Sequence, residues 1–293
     1  MRSMRLLVTA DLHYNHARSR ETADEVIDRM NAAGGDVLLV VGDTAAADGD
    51  ALEQCLGRFR FKGPRLLLAG NHELWTAGSD SYKVFTEDLP RRARELGWQW
   101  LETQPFAPAG GDVAIVCSVG WYDYSFAADY LGIPRRFYEH KVSPAAAERF
   151  SEFARLLDRT DDIGEVGRQT AARWNDGRYV KLGRSDEQFL GECLARLDAQ
   201  LASPAVASAR TVVAAVHHVP FCELLPGGRH GQRDFAKAFL GSGRIGDTLL
   251  RHPNVRHAFC GHSHFAADVH VGRVHAVNVG SGYRWKTFHT LDV

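Results

Sequence analysis

The residues of this 293-residue chain best equipped for chemistry stand where apolar runs end. "RLLVTA" leads into Asp11-Leu12-His13, "DVLLVV" into Gly42-Asp43, and "RLLLA" into Gly70-Asn71-His72-Glu73. "TVVAAV" leads into His217-His218, and "VRHAFC" into Gly261-His262-Ser263-His264. Unpaired carboxylates and imidazoles are costly to bury, but the C-terminal edge of an α/β sheet is where ligands bind. Glycines beside them let the backbone turn sharply. Asp11 and His13 are two residues apart, as are His262 and His264. Residues i and i+2 of an extended chain face the same way, so each pair is expected to reach one site. The donors are imidazoles and oxygens without thiolates. That set suits Mn, Fe, Zn or Co and suits Mg or Ca poorly. One Asp or His at a strand end is ordinarily a cap or a satisfied surface group. Five strand ends that all carry such groups ask for another explanation.

The elements that must position these residues are short runs rich in Val, Ile and Leu. They are the five above together with "DVAIVCSVG" and "VHAVNVG", all reading as buried strands. Residues 20–33, 49–60 and 79–96 have helical spacing of apolar positions with charged outer faces. Early strands alternating with helices argue α/β. From residue 254 to 293 short strands follow one another as in a meander, so a mixed sandwich of two sheets is expected. Residues 121–190 break the alternation. "GWYDYSFAADYLGIPRRFYEH" is aromatic and irregular. "SPAAAERFSEFARLL" reads as a helix with Ser143 as N-cap and Pro144 at its first position. "WNDGRYVKLGRSDEQF" reads as loop. The chain is thus expected to form one domain over 1–293, with 121–190 as an insertion or lid within it.

The ordered set D-x-H, GD, GNH[DE], H, GHxH resembles the signature of the calcineurin-like metallophosphoesterase superfamily. All five blocks are present, from Asp11 to His264. The resemblance implies a four-layer α/β/β/α sandwich of two mixed sheets with a two-metal centre at the strand C-terminal ends. It implies Asp11, His13, Asp43 and His264 on one metal, and Asp43, Asn71, His217 and His262 on the other, with Asp43 bridging. Here "HHVP" puts Pro220 three residues after His217, where the family often has it two after the histidine. His217 and His218 are therefore alternatives in that block, and His217, first after the strand, is preferred.

The function implied is a metal-dependent hydrolase of phosphate mono- or diesters that uses a metal-activated hydroxide. The cofactors implied are two divalent or trivalent transition-metal ions, Mn or Fe foremost and Zn next. Two cations with Asp11 and Asp43 leave a positive centre suited to a phosphate ester. Asn71 would give the second metal a neutral oxygen and preserve its Lewis acidity. His72 is implied beside the phosphoryl group, as hydrogen-bond donor or as acid toward the leaving oxygen. Glu73 has two readings, an acceptor orienting a histidine or a helix-start carboxylate. Trp121, Tyr122, Asp123 and Tyr124 either roof the substrate pocket or pack the insertion onto the core. Arg135, Arg136, Arg229 and Arg233 are candidate phosphate ligands.

Composition narrows the partners. Net charge is −1, so a small phosphorylated substrate, a nucleotide among them, is expected before nucleic acid. The alternatives kept are a nuclease and a non-catalytic scaffold of the same fold. No apolar run is long enough to span a membrane. The run "MRLLVTA" begins at Met4, leaving no room for a signal peptide, so a cytoplasmic protein is expected. Met1–Ser3 reads as an extension without structural role. The five cysteines (Cys55, Cys117, Cys193, Cys222 and Cys260) form no CxxC pair and are expected to be free thiols.

Overall fold

The computed structural model describes residues 3–108 and 111–293. Met1 and Arg2 of the N-terminal extension lie outside the described residues, while Ser3 donates a hydrogen bond to the Val293 carbonyl at 3.1 Å. Strands β1 (Arg5–Thr9), β2 (Val37–Val41), β3 (Arg65–Leu68) and β4 (Gln99–Trp100) run parallel in one sheet. The second sheet holds β5 (Val113–Ser118), β6 (Thr211–Val216), β7 (Val255–Cys260), β8 (Ala267–Val271) and β9 (Val274–Asn278) in the order β5-β6-β7-β9-β8. The last strand, β10 (Phe288–Asp292), returns to the first sheet and pairs antiparallel with β1.

Alternation along the strands explains the layering. Leu6, Val8, Leu39, Val41, Leu66 and Leu68 of the first sheet are buried in one cluster with Ile115, Cys117, Val213, Ala215 and Phe259 of the second. The intervening residues turn outward and are covered by helices. Leu7, Leu38 and Val40 share a cluster with Val26, Ile27 and Met30 of the helix Ala17–Ala33, and Val116 and Ala214 share it with Phe189 and Leu197 of the helix Asp186–Ala202. The result is the α/β/β/α sandwich. Both faces of each central strand are apolar, which is why these strands read as continuous hydrophobic runs rather than alternating ones.

Several local expectations change. The C-terminal strands are not a meander: β7 pairs with β9 in parallel, β8 is an antiparallel edge strand, and β10 crosses to the other sheet. The segment 79–96 is helical but interrupted by a π turn at Val84–Asp88. After Ser143 the helix lasts only Pro144–Ala147 before a 3₁₀ stretch, Ser151–Leu157. Ser143 does not cap it, because its hydroxyl donates to the Thr170 carbonyl and accepts from the Ala172 amide. The stretch read as loop contains the short helix Asp176–Tyr179 and the start of Asp186–Ala202, nucleated by a Ser185–Gln188 capping box.

Within 121–190, Phe137, Val142, Ala146, Ala147, Leu156 and Ile163 form a small core of their own. Trp121 and Tyr122 are wholly buried instead, in the main core. All five cysteines are free, and Cys222 alone among them is exposed. No described helix is long and apolar enough to cross a membrane.

Candidate metal centre

The polar residues at the strand ends do converge, though not by strand alternation. β1 stops at Thr9, and Asp11 and His13 both have left-handed backbone, with φ of 57° and 46°. Asp43 (53°), His262 (68°) and His264 (55°) share that conformation. Left-handed backbone is least unfavourable for Asn, Asp and His among residues with a Cβ, and it still costs about 1–3 kcal/mol each. The folded state holds the strain through the contacts around it. The Asp11 Oδ1 accepts from the His262 amide at 2.9 Å, and the Asp43 Oδ1 accepts from the His72 amide at 2.9 Å. Each carboxylate thereby ties its own loop to another.

Two overlapping donor groups result. Asp11, His13, Asp43 and His264 offer ligand atoms within 4.8 Å of one another, and so do Asp43, His217 and His262. Asp43 belongs to both. The His13 and His264 Nε2 atoms are 2.9 Å apart, and the His217 Nε2 is 3.3 Å from Asp43 Oδ1. Neighbouring ligands around one ion at metal–nitrogen distances near 2.1 Å stand about 3.0–3.5 Å apart, so these spacings suit a shared cation. Asp11 Oδ2, Asn71 Oδ1 and His217 Nε2 are buried without a hydrogen-bond partner.

The outer atoms of these side chains explain their orientation. The His217 Nδ1 lies 2.9 Å from the Val41 carbonyl of the opposite sheet, which leaves Nε2 to the centre. The His262 Nε2 faces the Phe239 carbonyl at 3.2 Å, which turns Nδ1 inward. His218 is held by the Val119 carbonyl at 2.8 Å and packs against Trp121 and His262, outside both groups. Asn71 is set by Asp176, whose Oδ1 accepts from its Nδ2 at 2.8 Å. The amide oxygen is thereby presented to the site.

Electrostatics fit a site made for cations. Burial pushes Asp11 up to about 7 against the pull of His217. Burial would raise Asp43 too, but His217 and His72 hold it well below the ordinary carboxylate range. Burial disfavours a charged His217, yet Asp43 lifts it to about 10. Burial followed by neighbouring imidazoles lowers both His13 and His262 well below the ordinary histidine range, so they are neutral and ready to ligate. An ion bound beside Asp43 would displace the proton from the His217 Nε2 that faces it.

Glu73 stands in the first turn of the short 3₁₀ helix His72–Leu74, as the helix-start reading expects, but its carboxylate does more than that. Its carboxylate accepts from the amides of Gly70 (2.7 Å), Asp43 (2.9 Å) and Thr44 (2.6 Å). It clasps the loops after β2 and β3 together and so fixes the Asp43 backbone.

A cleft of about 930 Å³ opens onto the centre, lined by Asp43, His72, Trp75, Trp174, Phe265 and Tyr283 among others. His72 is 5% exposed and stacks on Trp75 at 3.7 Å, and its Nε2 lies 3.5 Å from the Tyr283 hydroxyl. Arg233 lines this cleft. Arg135 is bonded to Glu139 and Glu187, Arg136 to Asp162, and Arg229 lies over Tyr130. Trp121 to Tyr124 do not border the cleft; the insertion reaches it instead through Arg173, Trp174 and Asn175.

A family model, calcineurin-like phosphoesterase, matches residues 4–266. The chain belongs to that family. Among solved structures, the phosphopantetheinyl hydrolase of Mycobacterium tuberculosis is similar at a TM-score of 0.67 and 20% identity, over 95% of this chain and 89% of its own. A dimetal phosphatase from Danio rerio matches at a TM-score of 0.51 and 11% identity, over 98% and 91%. At these identities the likeness is one of fold. No curated protein sequence matches this chain.

Several residues of this calcineurin-like site are ones that the sequence did not single out. Asp176, Trp75, Trp174 and Tyr283 have side chains at the centre or its cleft. Lys286 donates to the Asp11 and Gly282 carbonyls at 2.5 and 2.7 Å. The glycine-rich "GSGYRWK" after β9 is the one signal that could have pointed to Tyr283 and Lys286.

Proposed function

We propose that this chain hydrolyses phosphate mono- or diesters with two transition-metal ions. Asp11, His13, Asp43 and His264 would hold one ion, and Asp43, Asn71, His217 and His262 the other. The observation that carries the reading is the shared position of Asp43 in two largely buried donor groups, with Asp11 Oδ2, Asn71 Oδ1 and His217 Nε2 left without a hydrogen-bond partner. Neutral imidazoles, two carboxylates and one amide oxygen fit Mn, Fe or Zn. When bound, such a pair of ions supplies electrophilic pull on phosphoryl oxygens and acidifies water.

The chain's own residues do the rest. His72 stands between Asp43, Trp75 and Tyr283. From there its ring N–H is placed to donate to a phosphoryl or leaving oxygen. Trp75 fixes the ring plane by stacking, and Asp176 holds Trp75 through its indole N–H at 2.6 Å. The cleft is far larger than a phosphate, and Trp75, Trp174, Leu240 and Phe265 give it an apolar wall. An ester bearing a sizeable apolar or planar group fits it better than inorganic phosphate or a bare sugar phosphate. The net charge of −1 gives no general attraction for nucleic acid.

The test is turnover by Mn-loaded protein on a panel of monoesters, diesters, cyclic nucleotides, a phosphopantetheine diester and single-stranded DNA. Hydrolysis of small esters with two bound ions is expected. Retention of both ions without turnover of any member would support the scaffold reading. Preference for DNA would support the nuclease reading.

A further inference from the structure

A second set of imidazoles lies away from the cleft, on the β8–β9 hairpin. Val271 and Val274 flank the two-residue turn Gly272-Arg273, so they form a hydrogen-bonded pair. The next pair, His270 and His275, is then of the non-hydrogen-bonded kind, with Cα atoms about 4.5 Å apart and side chains close together. Asp268 stands two residues from His270 on the same face, and its Oδ1 is 2.6 Å from the His275 Nε2. On the other side, His257 of β7 is the register partner of His275. The ring centroids of His270 and His257 lie 4.8 and 5.9 Å from that of His275. The His257 Nδ1 is buried without a partner. Among the described residues, no Lys or Arg forms an ion pair with Asp268.

Asp268 and His275 already stand within ligand distance of each other, and His270, at i+2 from Asp268 on the same strand, is the third donor on that face. Asp268 and His270 are exposed and His275 is half-buried, so an ion can reach them. The His270 and His275 rings are stacked, 17° from parallel. Closing the site on one ion requires the exposed His270 ring to rotate out of this stack toward the Asp268–His275 pair.

We propose that Asp268, His270 and His275 form a third metal site on this chain, for one borderline divalent ion such as Zn²⁺, Ni²⁺ or Cu²⁺, with His257 as an additional donor. Mixed imidazole and carboxylate ligation selects such ions over Mg²⁺ and Ca²⁺. The site is separate from the centre at the strand ends, because the three steps of strand from His257 to the end of β7 at Cys260 alone span roughly 10 Å. Its ion would act as a clasp. β8 begins three residues after His264, and β9 leads into the loop that carries Tyr283.

Equilibrium dialysis of the Mn-loaded full chain against Zn²⁺, with metal analysis, tests the proposal. The wild type is expected to take up one more zinc equivalent than the His270→Ala/His275→Ala double variant. Asp268→Asn is expected to weaken that equivalent about tenfold. Cu²⁺ bound there is expected to show nitrogen hyperfine structure that the double variant lacks. Phosphoesterase turnover is expected to be equal in wild type and double variant. His270→Ala alone, at an exposed position, gives the same readout should the double variant misfold. Equal zinc uptake in wild type and variants overturns the proposal. So does an extra ion held no better than a dissociation constant on the order of 1 mM, as by any surface imidazole.

Discussion

Asp43 does two jobs at once: its side chain sits in both donor groups, and its amide is gripped by Glu73. Gly70 shows how little room that leaves. A Cβ there would lie 2.1 Å from Asp43 Oδ1 and 2.7 Å from His217 Nε2. Gly70→Ala is therefore expected to lose bound metal and to lower the melting temperature by several degrees, measured by metal analysis and thermal unfolding. His72 belongs to neither donor group. His72→Asn is expected to keep both ions and lose about 10²–10⁴-fold in rate, most with strongly basic leaving groups and least with nitrophenyl esters. Equal losses across leaving groups would assign His72 to phosphate binding. Loss of metal would remove it from the acid role altogether.

At the scale of elements, the short helix Asp176–Tyr179 couples the insertion to the centre. Asp176 is buried and accepts from Asn71, Trp75, Trp174 and Tyr122 at 2.8, 2.6, 2.7 and 3.1 Å. Every one of these neighbours is a donor. An amide in its place would turn an NH₂ group toward two of them. Asp176→Asn is expected to free the Asn71 side chain to flip, so that the second ion is lost before the first. Calorimetric titration with Mn²⁺ would then show one retained and one weakened equivalent. The buried donors left unmatched are expected to cost about 1–3 kcal/mol of stability. Two unchanged equivalents would mean that Asn71 needs no such support.

Across the whole molecule, Glu102 sews the two sheets together. Its carboxylate accepts from the Ala69 amide after β3 at 3.2 Å and from the Val119 amide after β5 at 2.9 Å. Burial raises this carboxyl from 4.5 to about 7. An acid whose folded pKa exceeds its unfolded one binds more protons when folded between the two values, so its contribution to stability falls as pH rises through that window. Relative to Glu102→Gln, the wild type is expected to lose stability between pH 4.5 and 7, with a total on the order of 3 kcal/mol, and to change little outside it. Denaturant unfolding of both proteins across pH checks this. A difference that does not vary with pH would show that the Glu102 carboxyl titrates in the fold as it does in the unfolded chain.

The sequence by itself determined the strands whose two faces are both buried, because continuous Val, Ile and Leu runs have few other homes. It also determined the donor types, since carboxylate and imidazole at strand ends carry their chemistry with them. The edge strands β4, β8 and β10 were less legible. They are short or half-exposed, and their pairing depends on partners far along the chain. The helix Asp186–Ala202 was hidden behind polar residues that serve as its cap and first turn. The sequence preferred His217 to His218 only for its place after the strand; the tertiary structure supplies the reason its ring faces the donor group, because the Val41 carbonyl that turns it comes from the other sheet. Tertiary structure alone recruited Asp176, whose partner Asn71 is 105 residues away in the chain. It also replaced strand alternation by left-handed turns at Asp11, His13, His262 and His264. Local propensity disfavours those turns, and only the hydrogen bonds and packing of the finished sandwich hold them.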